Sequence, residues 1–417
     1  MYLDDFIKDA LVLLSFDTVK APAKKNAPFG KGSKDALEYV LKKAKKMGFD
    51  VTNYDNYIGY ASIGDPSLPG FDILGHLDTV PLGEGWTHSP YGELADYKGR
   101  PAIYGRGALD DKIPIFVCLY IIKELVARVG KPRKHIRVIF GCDEEDGWGC
   151  INHFNKVDKM APQGFTPDAD FPVIYYEKGI AHVKVELPCP EKLTMFDCGD
   201  RANVVPDMAT AIYDGRKMSS RGISAHGAKP YEGDNAGIKL LKLIGRTYDD
   251  EAIMNIASKL EDVYGKGLGL DCVDSEGLPL TMNVGVIKAD GKKLELTIDF
   301  RYPLNIEKEQ IQKQLENAFF NVKVSIPHAH DRLFVDKNNP LVSTLMDVYK
   351  DTTLDLGAQP LAIGGGTYAR AMNEAVGFGP VFPDDPMPIH CLDECITIDQ
   401  LDKMYRIYYE AIKRLCF

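Results

Sequence analysis

The sequence predicts an α/β protein: a doubly wound, mostly parallel sheet with an α+β layer inserted into it. Three observations carry this prediction. An apolar run beginning at Phe71, an apolar stretch over 113–129 and a β-branched run over 136–142 read as strand, helix, strand. From about Ala181 the texture changes to short strands mixed with helices, and from about Pro340 the earlier helix and strand pattern returns. The middle is therefore inserted rather than appended. At 417 residues the chain also exceeds one ordinary core, and ~150 residues per domain suggests two or three. The expected boundaries are 1–180 and 333–417 for the sheet domain and 181–332 for the insertion.

Taken in order, Leu3, Phe6, Ile7, Ala10, Leu11 and Leu14 recur at helical spacing and predict a helix over 2–16. A second helix follows, with Ser33 as its cap, Leu37, Val40, Leu41, Ala44 and Met47 as its apolar stripe, and Gly48 as its stop. Strands are expected over 50–52 and 58–63, then a turn over 65–70, and then the central strand beginning at Phe71. A Gly- and Pro-rich irregular stretch separates this from helix 113–129 and strand 136–142. In the insertion, helices are expected over 234–244, 251–263 and 306–319, and strands over 281–287 and 293–300. The return brings helix 340–349, strand 360–363 and a last helix over 398–415. There is no internal repeat.

Composition narrows the partners. A formal charge of −10 argues against nucleic acid, which needs a concentrated basic surface. Hydrophobic content of 45% is ordinary for a soluble protein, and no apolar run approaches the ~20 residues of a membrane helix. The start of the chain, Met1 to Asp9, is acidic and lacks the basic opening of a signal peptide, so a cytoplasmic location is expected. Nine cysteines, with no Cys-x-x-Cys pair, read as buried thiols rather than a disulfide framework or a zinc knuckle at Cys391 and Cys395.

The chemistry gathers at strand ends and tight turns. His76 and Asp78, two apart, share one face of a strand, so one can bind a metal while the other orients it. Asp110 and Asp111 follow a Gly-x-Gly turn, Asp143, Glu144 and Glu145 follow a strand, Asp168 follows a proline, and His390 ends Met387-Pro388-Ile389-His390. In an α/β sheet such positions lie where ligands bind. Two histidines and three carboxylates, with a spare carboxylate beside two of them, suit two divalent ions ~3.5–4 Å apart.

Together these motifs, from Gly75-His76-Leu77-Asp78 to Asp393-Glu394, resemble the peptidase M20 family of dizinc hydrolases, and within it the PepV-type cytosolic dipeptidases. The resemblance implies a catalytic domain with an inserted lid domain. It makes His76 and Asp168 ligands of one ion and Glu145 and His390 ligands of the other, with Asp110 bridging and a cis bond after it. Asp78 would hold the His76 ring, and Glu144 would be the general base that activates a metal-bridging water. In the lid, His226 would stabilise the oxyanion, while Asn203 and Arg301, assisted by Gly364, Gly365 and Gly366, would hold the substrate's terminal carboxylate. The expected ions are zinc, with manganese or cobalt as alternatives.

Three departures from the family pattern stand out: Ile113 where a glycine is usual, Cys391 and Cys395 around His390, and a short region between Asn203 and Gly222. The resemblance also implies, from Asp168 where deacylases and carboxypeptidases of the family tend to have glutamate, a preference for peptides with a free amino terminus. The sequence therefore predicts a metallopeptidase acting on dipeptides or short peptides, a monomer with its own lid and with a dimer as the alternative. An N-acyl amino-acid deacylase is the second reading and a catalytically silent metal-binding protein the third. Glu144, His226 and Arg301 together argue against the last.

Overall fold

The computed structural model describes residues Leu3–Phe417; Met1 and Tyr2, and with them the predicted start of the first helix, lie outside the described residues. The chain divides into two compact units. One comprises the residues up to Tyr175 together with Phe334–Leu361 and Thr367–Phe417, and the other comprises Tyr176–Leu333 with the short segment Ala362–Gly366.

The first unit is built on a mixed sheet. Its centre is four parallel strands, in the order His135–Gly141, Gly70–His76, Gln163–Thr166 and Glu374–Gly377. On one side the hairpin Asp50–Tyr54 and Ile58–Ile63 adds antiparallel, and on the other Gly377 pairs antiparallel with Ile174. Every residue from Phe71 to His76 is buried. Successive side chains point to opposite faces, so both faces of this strand are covered, which is why it reads as a continuous apolar run. Within it Asp72 is also buried, and its carboxylate accepts from Arg137 Nε at 2.8 Å and Nη2 at 2.7 Å and from the Ala161 N–H at 2.6 Å. That fork ties two parallel strands together without leaving a charge unpaired.

Most predicted elements are present within a few residues. Ser33 is a correction: helix Lys31–Lys46 starts after Gly30, whose φ of 104° suits glycine, and Ser33 lies buried in its first turn. Other features were not expected, among them two of the four parallel strands, Gln163–Thr166 and Glu374–Gly377. The stretch before Asp110 contains a hairpin, Glu93–Tyr97 and Arg100–Tyr104, completed by Cys395–Thr397 from the far end of the chain. A helix, Gly149–Val157, also follows the acidic turn. Helix Lys112–Arg128 buries nearly its whole first half, including Ile113. The nine cysteines are free; Cys391 is exposed and Cys189 and Cys272 are half-buried, so not all are core thiols.

The second unit is a seven-stranded antiparallel sheet ordered Arg216–Arg221, Met208–Tyr213, Leu193–Cys198, Thr281–Ala289, Lys293–Tyr302, Gly179–Pro188 and Lys323–His330. Helices Ala236–Tyr248, Glu251–Leu260 and Lys308–Ala318 accompany it. The core joins Val183, Val185, Ile298 and Phe300 to Leu240, Leu241 and Leu315. Asn235 and Asp250 cap their helices by accepting from Ile238 N at 3.1 Å and Ile253 N at 3.0 Å. Among the described residues no helix is long and apolar enough to cross a membrane.

Candidate active site

The parallel strands deliver the site. His76 is the last residue of Gly70–His76, Asp143, Glu144 and Glu145 follow His135–Gly141, and Asp168 follows Gln163–Thr166. These strands are neighbours, so three groups far apart in sequence meet at one sheet edge, beyond the carboxyl ends. Asp110 enters from the turn before helix Lys112–Arg128, and His390 from the loop before Cys395–Thr397. The bond between Asp110 and Asp111 is cis, as the resemblance implied.

Asp110 lies between two sets of partners. Its Oδ1 is 2.8 Å from His76 Nε2, and Asp168 Oδ2 is 3.6 Å from that same nitrogen. Its Oδ2 is 2.6 Å from His390 Nε2, which is 3.1 Å from Glu145 Oε1. His76, Asp110 and Glu145 offer donor atoms within 4.8 Å of one another, and so do His76, Glu144 and Asp168. Glu144 thus stands with the candidate ligands as well as beside them.

The His76 Nδ1 donates to the main-chain carbonyl of Asp78 at 2.9 Å, whereas the nearest carboxylate oxygen of Asp78 is 3.6 Å away. The ring is therefore oriented by the backbone of Asp78, not by its side chain. That carboxylate instead accepts the N–H of Glu144 and of Glu145, each at 3.0 Å, fixing the acidic turn. A carbonyl only accepts, so Nδ1 carries a hydrogen, and when the ring is neutral Nε2 presents a lone pair. His76 Nε2 and Asp110 Oδ1 are both buried and neither makes a hydrogen bond, despite their close approach. Two unsatisfied buried donor atoms facing each other, backed by imidazole and carboxylate, fit a divalent cation.

The electrostatics agree. Burial alone would lower the His76 pKa, but Asp110 and Asp168 beside it raise it well above the ordinary value. At His390 burial is likewise outweighed by Asp110 and Glu145, which raise it to about 11. Burial pushes the Asp168 and Glu144 carboxyls well up, with the neighbouring charges of Asp110 and of Asp168 adding to it respectively. Burial opposes ionisation of Asp110 too, yet the two imidazoles hold it well below the usual carboxylate range. Four carboxylates crowd two imidazoles that would rather be charged, an arrangement that calls for positive charge between them.

Two residues missed from sequence support the cluster. Asp111 Oδ2 accepts the His76 N–H at 3.2 Å, and a Cβ on Gly75 would lie 2.0 Å from that oxygen, so glycine before His76 makes room for it. Tyr368 meets the His76 ring edge-on at 5.9 Å between centroids, with its hydroxyl 2.8 Å from Cys150 Sγ. The doubled aspartate was a visible signal for the first. The second had only its place beside the glycine triplet.

The second unit gathers its own set. Val204 and His226 form a β-bridge, and the Gly227 N–H donates to Asn203 O at 2.7 Å, so the exposed Asn203 and His226 sit on adjacent extended segments. Asn283 Nδ2 donates to Ala202 O at 2.8 Å and Val204 O at 2.9 Å, holding the backbone on either side of Asn203. The buried Arg301 is gripped by Asp299, with Nε 3.0 and 3.1 Å and Nη2 2.9 Å from its carboxylate, and Nη1 donates to Gly364 O at 3.1 Å. Asn283 and Asp299 are register partners, so one polar row of the sheet serves both Asn203 and Arg301. Asp299 was detectable: it lies two residues before Arg301, on the same strand face.

Residues 73–414 match the sequence pattern of peptidase family M20/M25/M40. The chain belongs to the M20 peptidase family. A relative from Bacillus subtilis (strain 168), "Putative dipeptidase YtjP", is 35% identical over 465 residues, covering 99% of this chain and 97% of its own. Among solved structures, human carnosine dipeptidase 1 aligns with a TM-score of 0.61 at 15% identity, covering 99% of this chain and 96% of its own. The M20 family metallo-carboxypeptidase Sso-CP2 from Sulfolobus solfataricus aligns with a TM-score of 0.61 at 17% identity, covering 98% and 99%. At such identities these structures speak for the M20 fold of a catalytic domain with an inserted lid, and this chain has that fold. It is an M20 peptidase, a family of metal-dependent enzymes, and its cluster of histidines and carboxylates can hold metal.

Proposed function

We propose that this protein hydrolyses the peptide bond of dipeptides or short peptides with a free amino terminus, using two divalent ions, zinc by the chemistry of the ligands. The observation that carries the reading is Asp110, whose two oxygens face two different ligand sets, His76 with Asp168 and His390 with Glu145. Those five residues would hold the ions. When bound, such ions polarise a carbonyl and make water a nucleophile at neutral pH. Glu144 takes the proton from the attacking water and delivers it to the leaving amine, a task suited to a carboxyl whose pKa is raised by burial. Arg301 keeps two N–H groups beyond those given to Asp299 and Gly364, enough for a carboxylate, and Asn203 with Gly364, Gly365 and Gly366 completes that contact. His226 donates to the carbonyl oxygen as it gains charge. Dipeptides are favoured over acylated amino acids because the B. subtilis relative, matched along nearly its whole length, bears a dipeptidase name.

A panel of dipeptides, tripeptides and N-acetyl amino acids, assayed on metal-replete and chelated protein, tests this. Dipeptide cleavage lost on chelation and restored by zinc, manganese or cobalt is expected. Preference for the acetylated substrates would replace it with a deacylase, and turnover insensitive to chelation would remove the metal reading. His226→Ala should lower kcat by ~10²–10³ while metal content stays unchanged. An unchanged kcat would take His226 out of the chemistry.

A further inference from the structure

Glu394 is fully buried, four residues beyond His390 and directly before the strand Cys395–Thr397. Its Oε1 accepts the backbone N–H groups of Gly107 and Leu109, each at 3.0 Å, and of Asp110 at 3.3 Å. Its Oε2 accepts from Arg106 Nη1 at 2.7 Å, and its main-chain carbonyl accepts the Gly105 N–H at 2.9 Å. One residue thus grips the loop that presents Asp110 through five contacts. The neighbouring Asp393 fixes the same segment by accepting from Thr87 N at 2.9 Å, Thr87 Oγ1 at 2.7 Å and His88 N at 3.0 Å.

All four groups that meet the Glu394 side chain are donors. Only an ionised carboxylate, which accepts at both oxygens and donates at neither, satisfies all of them. A glutamine would turn an amide N–H₂ toward either the guanidinium or the three peptide N–H groups. Asp110 must aim its two oxygens in two directions at once, so a small rotation of its backbone spoils one contact to gain the other. The chain segment that bears His390 also clamps the backbone of Asp110, which sets the spacing between these two groups.

We propose that Glu394 is the positioning residue for Asp110, holding the bridging carboxylate in the orientation that two divalent ions require. This rests on the reading of Asp110 as a bridging ligand. Glu394 is not one of the candidate ligands; it acts through the loop from Gly105 to Asp110.

The test is a Co²⁺ titration of metal-free protein followed by visible absorption, with thermal unfolding of the same metal-free samples. Glu394→Ala should weaken Co²⁺ binding ~10–100-fold, the range for losing a partner that orients a ligand, and Glu394→Gln by about 10-fold. Leu345→Ala, a core truncation in helix Pro340–Thr353, should lower the melting temperature without moving Co²⁺ affinity. A purely structural Glu394 would behave like Leu345. If Glu394→Ala does not fold, Glu394→Gln decides. Wild-type Co²⁺ affinity in either folded Glu394 variant overturns the proposal, whereas wild-type protein that binds no Co²⁺ refutes the dimetal reading instead.

Discussion

Asp110→Asn is expected to leave at most one divalent ion per chain and to cut turnover by ~10³-fold or more. The reason is in the two contacts of this one carboxylate, 2.8 Å to His76 Nε2 by Oδ1 and 2.6 Å to His390 Nε2 by Oδ2. Asparagine has the same shape but a single acceptor. Whichever way its amide turns, an N–H₂ faces one of the two positions where a cation would sit, and the negative charge shared between them is gone. The peptide contact of the residue to Glu394 survives, as do those of Gly107 and Leu109, so the loop stays in place and the loss is chemical rather than structural. Metal analysis of the dialysed variant, alongside kcat, checks this. Two ions retained with wild-type turnover would mean that Asp110 bridges nothing.

Much of this site could be read from the sequence because its groups end strands or sit in turns. His76 was placed by the apolar run it ends and Asp168 by the Thr166-Pro167 turn and the family resemblance, and their meeting at one sheet edge follows from parallel pairing. What could not be read is which atoms do the holding. Asp78 was expected to orient His76 by its side chain, but period-two spacing says only that two residues share a face. The structure gives the ring to the Asp78 carbonyl and the carboxylate to the turn of Glu144 and Glu145. The contacts of Glu394, itself part of the last motif, and the strand after it were invisible for a different reason: their partners, Arg106 to Asp110 and Arg100–Tyr104, lie on the other side of the inserted unit in sequence, and no local pattern signals a non-local pairing. Ser33 shows the converse. A serine before an apolar stripe looks like a cap, yet the helix starts earlier, at the positive φ of Gly30, and tertiary burial claims the serine.

On the proposed mechanism, Glu144→Gln should keep the divalent ions and lose ~10²–10⁴ in kcat, because it would remove a base and little else. The turn that carries Glu144 does not depend on its side chain: the N–H groups of Glu144 and Glu145 both donate to Asp78, at 3.0 Å each, so glutamine at this position leaves the backbone as it is. Side chains leaving a fixed turn at successive residues point apart, and Glu145 reaches His390 at 3.1 Å while Glu144 stands with His76 and Asp168. That second grouping offers a competing role, in which Glu144 is itself a ligand and not the base. The two roles separate cleanly by metal content. A base lost by Glu144→Gln costs turnover with both ions in place, and Glu145→Gln costs an ion along with turnover. A ligand at Glu144 reverses the pattern, with metal lost from Glu144→Gln and kept by Glu145→Gln, and that result would exchange the two glutamates in the mechanism.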